Sequence, residues 1–276
     1  MMSLYKKVAG VRARFTRWLL DKELLAGHRD YTRYIILGMG RTGSNLLATS
    51  LQSQSNVIAF GELFNNAHHE RISWMYPGYK TSGAALELRA RDPRAFIDTM
   101  VYGRMPKRVS AVGFKLFYYH AREPNWACIW PHLRDMEGLK VIHLKRKNLL
   151  RTYLSMSYAL QDRQWIARSD HGVTRKEAIE LDYEDVLKGF RKIRAWENEG
   201  DCFFAGQPVL EVFYEGLVGR YDEEMSRIQD FLGVPRSSAH TNTRKQSIQR
   251  LSESIANYEE LKARFQGSEW AAFFEE

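Results

Sequence analysis

The chain has almost no cysteine: two residues, Cys128 and Cys202, in 276. They lie far apart and show no metal-ligand spacing. That argues against a disulfide framework and fits a reducing compartment, the cytoplasm. Cys128, between Trp126 and Trp130, reads as an ordinary packed side chain. No run is long and apolar enough to cross a bilayer, and no signal-peptide core is visible near the first residue. Internal repeats, linkers and low-complexity tracts are lacking. So are a compact Lys/Arg tract and an aromatic RNA-binding signature, so nucleic acid is not expected as a partner. His68 and His69 are adjacent but lack a third ligand, so no metal is expected. What is present is 44% hydrophobic and 13% aromatic residues, enough for a sizeable core. Against 33 acidic residues stand 41 Lys and Arg, a net charge of +8 that attracts anions such as nucleotides, acidic glycans or anionic membranes.

The pattern alternates strand and helix, which predicts an α/β fold with a central parallel sheet flanked by helices on both faces. Strands are expected at Tyr34–Leu37, Val57–Phe60, Val109–Phe117, Lys140–Leu144 and Pro208–Phe213. Helices are expected at Ser44–Gln52, Pro93–Gly103, Asn148–Gln161, Arg175–Glu199, Asp222–Leu232 and Ser252–Phe265. Gly233 and Pro235 follow the fifth of these in the order of a helix C-terminus. One domain is expected over residues 34–276. Residues 1–33 form a separate segment in which Lys6, Lys7, Arg12, Arg14 and Arg17 alternate with Val8, Val11, Phe15, Trp18, Leu19 and Leu20. As a helix this segment would lie on an anionic membrane surface, or pack on the domain or on a second copy in a homodimer; packing is favoured.

Two motifs carry chemistry. In the first, the apolar strand Tyr34-Ile35-Ile36-Leu37 runs into Gly38-Met39-Gly40-Arg41-Thr42-Gly43-Ser44-Asn45-Leu46-Leu47. A glycine-rich turn between strand and helix aims backbone N–H groups at anionic oxygens. A nucleotide-triphosphatase loop needs Gly-Lys followed by Ser or Thr, the lysine for the outer phosphates and the hydroxyl for magnesium. Here Ser44 and Asn45 follow Gly43, and the cation is Arg41. The loop suits a phosphate-like group without magnesium. In the second motif, the buried strand Val141-Ile142-His143-Leu144 ends in Lys145-Arg146-Lys147 and a helix follows. Cations at the carboxyl end of a parallel strand stand where open α/β sheets bind ligands. Ser155 falls about two turns along that helix, near enough to share a second phosphate with Arg146.

Together the motifs resemble the superfamily of sulfotransferases that use 3′-phosphoadenosine 5′-phosphosulfate (PAPS), in its bacterial carbohydrate-directed branch of trehalose and nodulation type. That resemblance implies a P-loop-type three-layer fold. It implies that Arg41, Thr42, Gly43, Ser44 and Asn45 hold the 5′-phosphosulfate, and that Arg146 and Ser155 hold the 3′-phosphate. The family spacing puts the serine eight residues after the basic residue. Ser155 is nine after Arg146 and eight after Lys147, so either is the ligand; arginine is favoured because it binds phosphate bidentately. Val212-Phe213-Tyr214-Glu215-Gly216-Leu217 and Phe231-Leu232-Gly233-Val234-Pro235 are similar to the family's late block. Thr243-Arg244-Lys245-Gln246 is similar to its cofactor loop, so Arg244 or Lys245 would reach the 3′-phosphate. Residues Asn66 to Arg108 match no known pattern.

The implied reaction moves a sulfuryl group to a hydroxyl of a sugar, glycolipid or related small molecule. Its loose transition state asks for positioning and charge stabilisation, which Arg41 can supply on the leaving oxygen. The acceptor needs a base. Glu62, in Phe60-Gly61-Glu62-Leu63-Phe64, stands where the resemblance puts one, and burial would raise its pKa toward the working pH. His120, just beyond the third strand, is the rival, and Lys115 inside that strand either points to the site or snorkels out. Asn65, His68, His69, Trp74, Tyr76, Tyr118, Tyr119 and Trp165 are acceptor-binding candidates, and for several of them a plain core role is favoured, because Trp and Tyr commonly pack. The competing readings are a small-molecule kinase on the same scaffold and a non-catalytic nucleotide-binding module.

Overall fold

A computed structural model describes residues 11, 13–20, 22–67, 69–162, 177–241 and 249–275. Five strands form one sheet: β1 (Thr32–Gly38), β2 (Val57–Glu62), β3 (Ala111–Phe117), β4 (Lys140–Lys145) and β5 (Val209–Phe213). Their order is β2-β3-β1-β4-β5 and every pairing is parallel. The chain leaves β1 toward β2 on one side and leaves β4 toward β5 on the other. The crevice between the carboxyl ends of β1 and β4 is therefore the topological switch point, where such sheets bind ligands.

Alternation along β1 builds two cores. Tyr34 and Ile36 face one side, with Leu47, Leu51, Met225 and Ile228. Ile35 and Leu37 face the other, with Phe60, Phe96, Phe114, Phe190 and Phe265. The first side is covered by α1 (Ser44–Gln52), α7 (Tyr214–Gly219) and α8 (Tyr221–Leu232). The second carries α2 (Gly83–Arg91), α3 (Pro93–Phe96), α4 (Ile129–Arg134), α5 (Leu149–Asp162), α6 (Tyr183–Phe203), α9 (Leu251–Ser254) and α10 (Tyr258–Phe265). Helices on both faces of a parallel sheet make the three-layer α/β fold that the alternation predicts.

Several boundaries differ for local reasons. The helix expected over Pro93–Gly103 is α-helical only to Phe96 and then widens into a π-turn, Ile97–Val101. There Tyr102 N–H donates to the Ile97 carbonyl (2.8 Å), and the Tyr102 hydroxyl reaches the Tyr34 carbonyl (2.9 Å). The helix expected from Arg175 begins at Tyr183, because the Asp182 carboxylate accepts the Asp185 N–H (2.9 Å) and caps it. The single helix expected over Ser252–Phe265 is two, α9 and α10. Between them Ile255 is extended and bridges Ile179, and the Asn257 amide holds both the N–H and the carbonyl of Leu181. The sequence reading did not contain α2, α4 or α7.

Close strand packing leaves no room for a side chain at Gly113. A Cβ at Gly113 on β3 would enter the ring of the fully buried Tyr34 on neighbouring β1. Gly113→Ala should lower stability by about 1–3 kcal/mol through overpacking, read as a fall in Tm. An unchanged Tm would mean that the ring has room to move.

Candidate active site

The loop after β1 is shaped by backbone conformations that few residues accept. Arg41 has φ 72° and Gly43, at the helix N-cap, has φ 87°. At Gly43 there is also no space: a Cβ would meet the Tyr214 ring at 2.5 Å. The buried Thr42 hydroxyl donates to the Met39 carbonyl (2.7 Å) and closes the turn. The free N–H groups at the start of α1 thus face the switch point.

Arg41, Arg146 and Ser155 converge there. Arg41 Nε donates to Ser155 Oγ (2.9 Å), and Arg146 Nη1 donates to the Arg41 carbonyl (3.3 Å). Arg146 lies over the Tyr214 ring at 4.8 Å, and its side chain is 11% exposed. Its Nε is buried without a hydrogen-bond partner, the Glu215 carboxylate standing 3.9 Å away. Lys147 turns outward over Phe213, with its backbone N–H tied to Glu215 (3.0 Å). Arg41 is pulled below the ordinary arginine value by burial and then by the charge of Arg146; burial lowers Arg146 as well. Two half-buried guanidiniums, the charge of one lowering the other's pKa, suit an anion beside them.

On the other side of α1 lies a second charged cluster. Lys115, with its side chain 2% exposed, donates to Asn45 Oδ1 (2.8 Å) and to Glu62 Oε1 (3.1 Å). Glu62 meets it because of a bulge. Phe60 pairs with Phe114, but Glu62, not Gly61, pairs with Lys115. The extra residue, Gly61, shifts the strand by one and turns Glu62 to the Lys115 face. A Cβ at Gly61 would meet the Ser73 carbonyl and hydroxyl at 2.5 Å. Glu62 also accepts from Asn65 Nδ2 (2.7 Å). The segment after it is gripped by the buried Arg89, which donates to the carbonyls of Leu63 (2.7 Å), His69 (2.6 Å) and Arg71 (3.3 Å).

The expected rise in the Glu62 pKa is corrected. Burial does push it up, but the charges of Lys115 and His120 and the bonds from Asn65 and Lys115 outweigh burial and bring it below the ordinary glutamate value. His120 is buried, and its pKa is lowered to about 4 by desolvation, with Lys115 adding to the fall. Its Nδ1 accepts the Phe117 N–H (3.2 Å), so the neutral ring carries its proton on Nε2, 3.8 Å from Glu62 Oε2. In this arrangement His120 presents a donor to the site.

A relay behind the site joins its two halves. The Tyr118 hydroxyl bonds His143 Nε2 (2.7 Å), and His143 Nδ1 bonds Asp201 (2.7 Å). Lys145 donates to Asp201 (2.8 Å) and Glu211 (2.6 Å). Burial, then Lys145, lower the His143 pKa to about 4. The neutral ring therefore donates to the carboxylate and accepts from the tyrosine. Tyr118 precedes Tyr119 and His120, and Lys145 precedes Arg146, so the relay fixes both strand ends.

Glu62, Arg41, His120, Thr42, Gly43, Ser44, Asn45, Arg146 and Ser155 all stand at the carboxyl edge of the sheet. Arg244, Lys245, His68 and Trp165 lie outside the described residues. Of the aromatic acceptor candidates, Trp74 (4% exposed) and Tyr118 (2%) are core residues, the role expected for several of them. His69 stacks on Trp126 at 5.1 Å, while Tyr76 and Tyr119 are half-buried. Lys115, Tyr214 and the bulge at Gly61 are the functional features the sequence reading left unassigned. A glycine in a strand end just before a glutamate was the available signal.

The sulfotransferase family profile matches residues 34–238, which span both phosphate motifs and Glu62. The chain belongs to the sulfotransferase family. The enzyme is similar to nodulation protein H of Rhizobium tropici, 26% identical over 250 residues that cover 88% of this chain and 92% of the relative. Nodulation protein H of Rhizobium meliloti is 25% identical over 250 residues, 88% of this chain and 94% of that one. Among solved structures, a sulfotransferase from Alicyclobacillus acidocaldarius matches 84% of this chain and 90% of its own, with TM-score 0.46 and 16% identity. As the motifs imply, this enzyme is a sulfotransferase.

Gly61→Ala tests the bulge. With Glu62 displaced, turnover should fall at least about tenfold while cofactor-product binding changes less than about threefold. Unchanged turnover would show that the bulge does not set the position of Glu62.

Proposed function

We propose that the enzyme transfers the sulfuryl group of PAPS to a hydroxyl of a carbohydrate, glycolipid or related small molecule, leaving adenosine 3′,5′-bisphosphate. The observation that carries this reading is the pair of half-buried guanidiniums, Arg41 and Arg146, meeting at the switch point. A donor with phosphates at both ends of a ribose answers two such cations.

In this reading the N–H groups of the loop, with Thr42, Gly43, Ser44 and Asn45, hold the 5′-phosphosulfate. Arg41 offsets charge that builds on the leaving phosphate oxygen. Arg146 and Ser155 hold the 3′-phosphate; Arg146 is favoured over Lys147 because it faces Arg41 while Lys147 faces Phe213. Arg244 or Lys245 completes that site. Glu62 takes the acceptor proton, Lys115 fixes its carboxylate, and His120 donates from Nε2 rather than accepting. A weakly basic carboxylate suffices, because in a loose transition state the acceptor proton leaves late. The enzyme would work in the cytoplasm. The N-terminal segment would meet a membrane surface or a second copy in a homodimer.

Glu62→Gln should cut turnover about 100-fold or more and leave the affinity for adenosine 3′,5′-bisphosphate unchanged, while Arg41→Ala abolishes turnover. Near-normal turnover in Glu62→Gln would move the base to His120. The pH dependence follows from the lowered values. Glu62 accepts a proton only when ionised, which holds above its depressed pKa. Turnover by the wild-type enzyme should therefore be level from about pH 5.5 to 8 and fall only on the acid side. An inflection near neutrality would contradict the assignment.

A further inference from the structure

The N-terminal helix is turned inside out. Over residues 13–20 it docks on the domain by Ala13, Arg17 and Leu20. Ala13 lies against Gly78 and Leu20 against Gly27, and Arg17 donates to the Tyr79 hydroxyl (3.0 Å) and sits over its ring at 5.1 Å. The opposite side carries the large apolar residues. Val11, Phe15 and Trp18, spaced four and three apart on one helical face, are 56%, 58% and 49% exposed. The Phe15 and Trp18 rings stack on each other at 5.9 Å in the open. In the turn that closes the helix, Leu24 and Leu25 are 67% and 37% exposed. Among the described residues, five of the eight large exposed hydrophobics fall within these fifteen positions.

Charge selects what covers this face. The first 25 residues hold six cations against two acids, Asp21 and Glu23, a net charge of +4. Arg14 and Lys22 are exposed at its borders. A two-fold contact with a second copy would set this basic segment against itself. A bilayer with anionic headgroups offers apolar depth and opposite charge together.

We propose that Val11, Phe15, Trp18, Leu24 and Leu25 form a docking surface for an anionic lipid bilayer, with Arg14 and Lys22 on lipid phosphates. Phe15 and Trp18 then rest at headgroup depth, the level aromatic side chains favour. The surface is remote in sequence from the sulfuryl-transfer residues and does not depend on their assignment.

The test is co-sedimentation of the full chain with phosphatidylcholine vesicles, with and without about one-third phosphatidylglycerol, alongside analytical ultracentrifugation. Binding should be at least about tenfold stronger to the anionic vesicles, weaken as salt is raised, and drop about tenfold in Phe15→Ser/Trp18→Ser. Arg14→Glu/Lys22→Glu, which keeps the aromatic pair, should lose the preference for anionic lipid. Both variants should keep wild-type circular dichroism and affinity for adenosine 3′,5′-bisphosphate. Equal indifference to both vesicle types, or binding untouched by either variant, overturns the proposal. So does a stable dimer that Phe15→Ser/Trp18→Ser converts to monomer without any effect on lipid, which would assign the face to a second copy.

Discussion

The buried amine of Lys115 is the constraint on which the site depends. A lysine with 2% of its side chain exposed is costly unless its hydrogen bonds are satisfied and its charge is balanced. Asn45 at the start of α1 and Glu62 at the end of β2 do both. Three elements are thereby fixed to one another at the edge where the loop after β1 opens. Glu62 also accepts from Asn65 and stands 3.8 Å from His120 Nε2, so it is ionised without losing its place. The bulge at Gly61 belongs to the same constraint: without it the carboxylate would point to the opposite face of the sheet.

The two halves of the site run on opposite electrostatic terms. Around Glu62 charges are matched, and the groups hold one another. Around Arg41 and Arg146 two guanidiniums stand close, and the charge of Arg146 lowers the Arg41 pKa. A matched half suits an acceptor hydroxyl, which must be placed and deprotonated. A half in which one guanidinium repels another suits an anionic donor, whose binding offsets the repulsion. The Tyr118–His143–Asp201 relay ties the two, so that the segment Tyr119–His120 and the strand end at Arg146 keep one spacing.

Much of this was legible in the chain. The strand, glycine turn and helix from Tyr34 to Gln52 followed from apolar periodicity and loop chemistry, and α1 falls where it was expected. Arg41, Arg146 and Ser155 were found because each sits at a strand end or a fixed helical spacing. The role of Lys115 was not legible, because it depends on the register between β2 and β3, strands separated by the whole segment from Leu63 to Ser110. The sign of the Glu62 shift was missed for the same reason: burial is visible in a pattern, while a buried partner on another strand is not. Which of the aromatic candidates lie in the core, as Trp74 and Tyr118 do, was not legible, because composition does not tell a ring that faces a ligand from one that faces the core.

The most direct test of the account is calorimetric titration with adenosine 3′,5′-bisphosphate, run beside 5′-AMP and ATP–magnesium, on the wild type and Arg146→Ala. If two cationic subsites hold the two phosphates, the bisphosphate should bind at least about 100-fold more tightly than 5′-AMP, and Arg146→Ala should erase most of that difference. Equal affinity for the bisphosphate and 5′-AMP, with ATP–magnesium preferred, would contradict it.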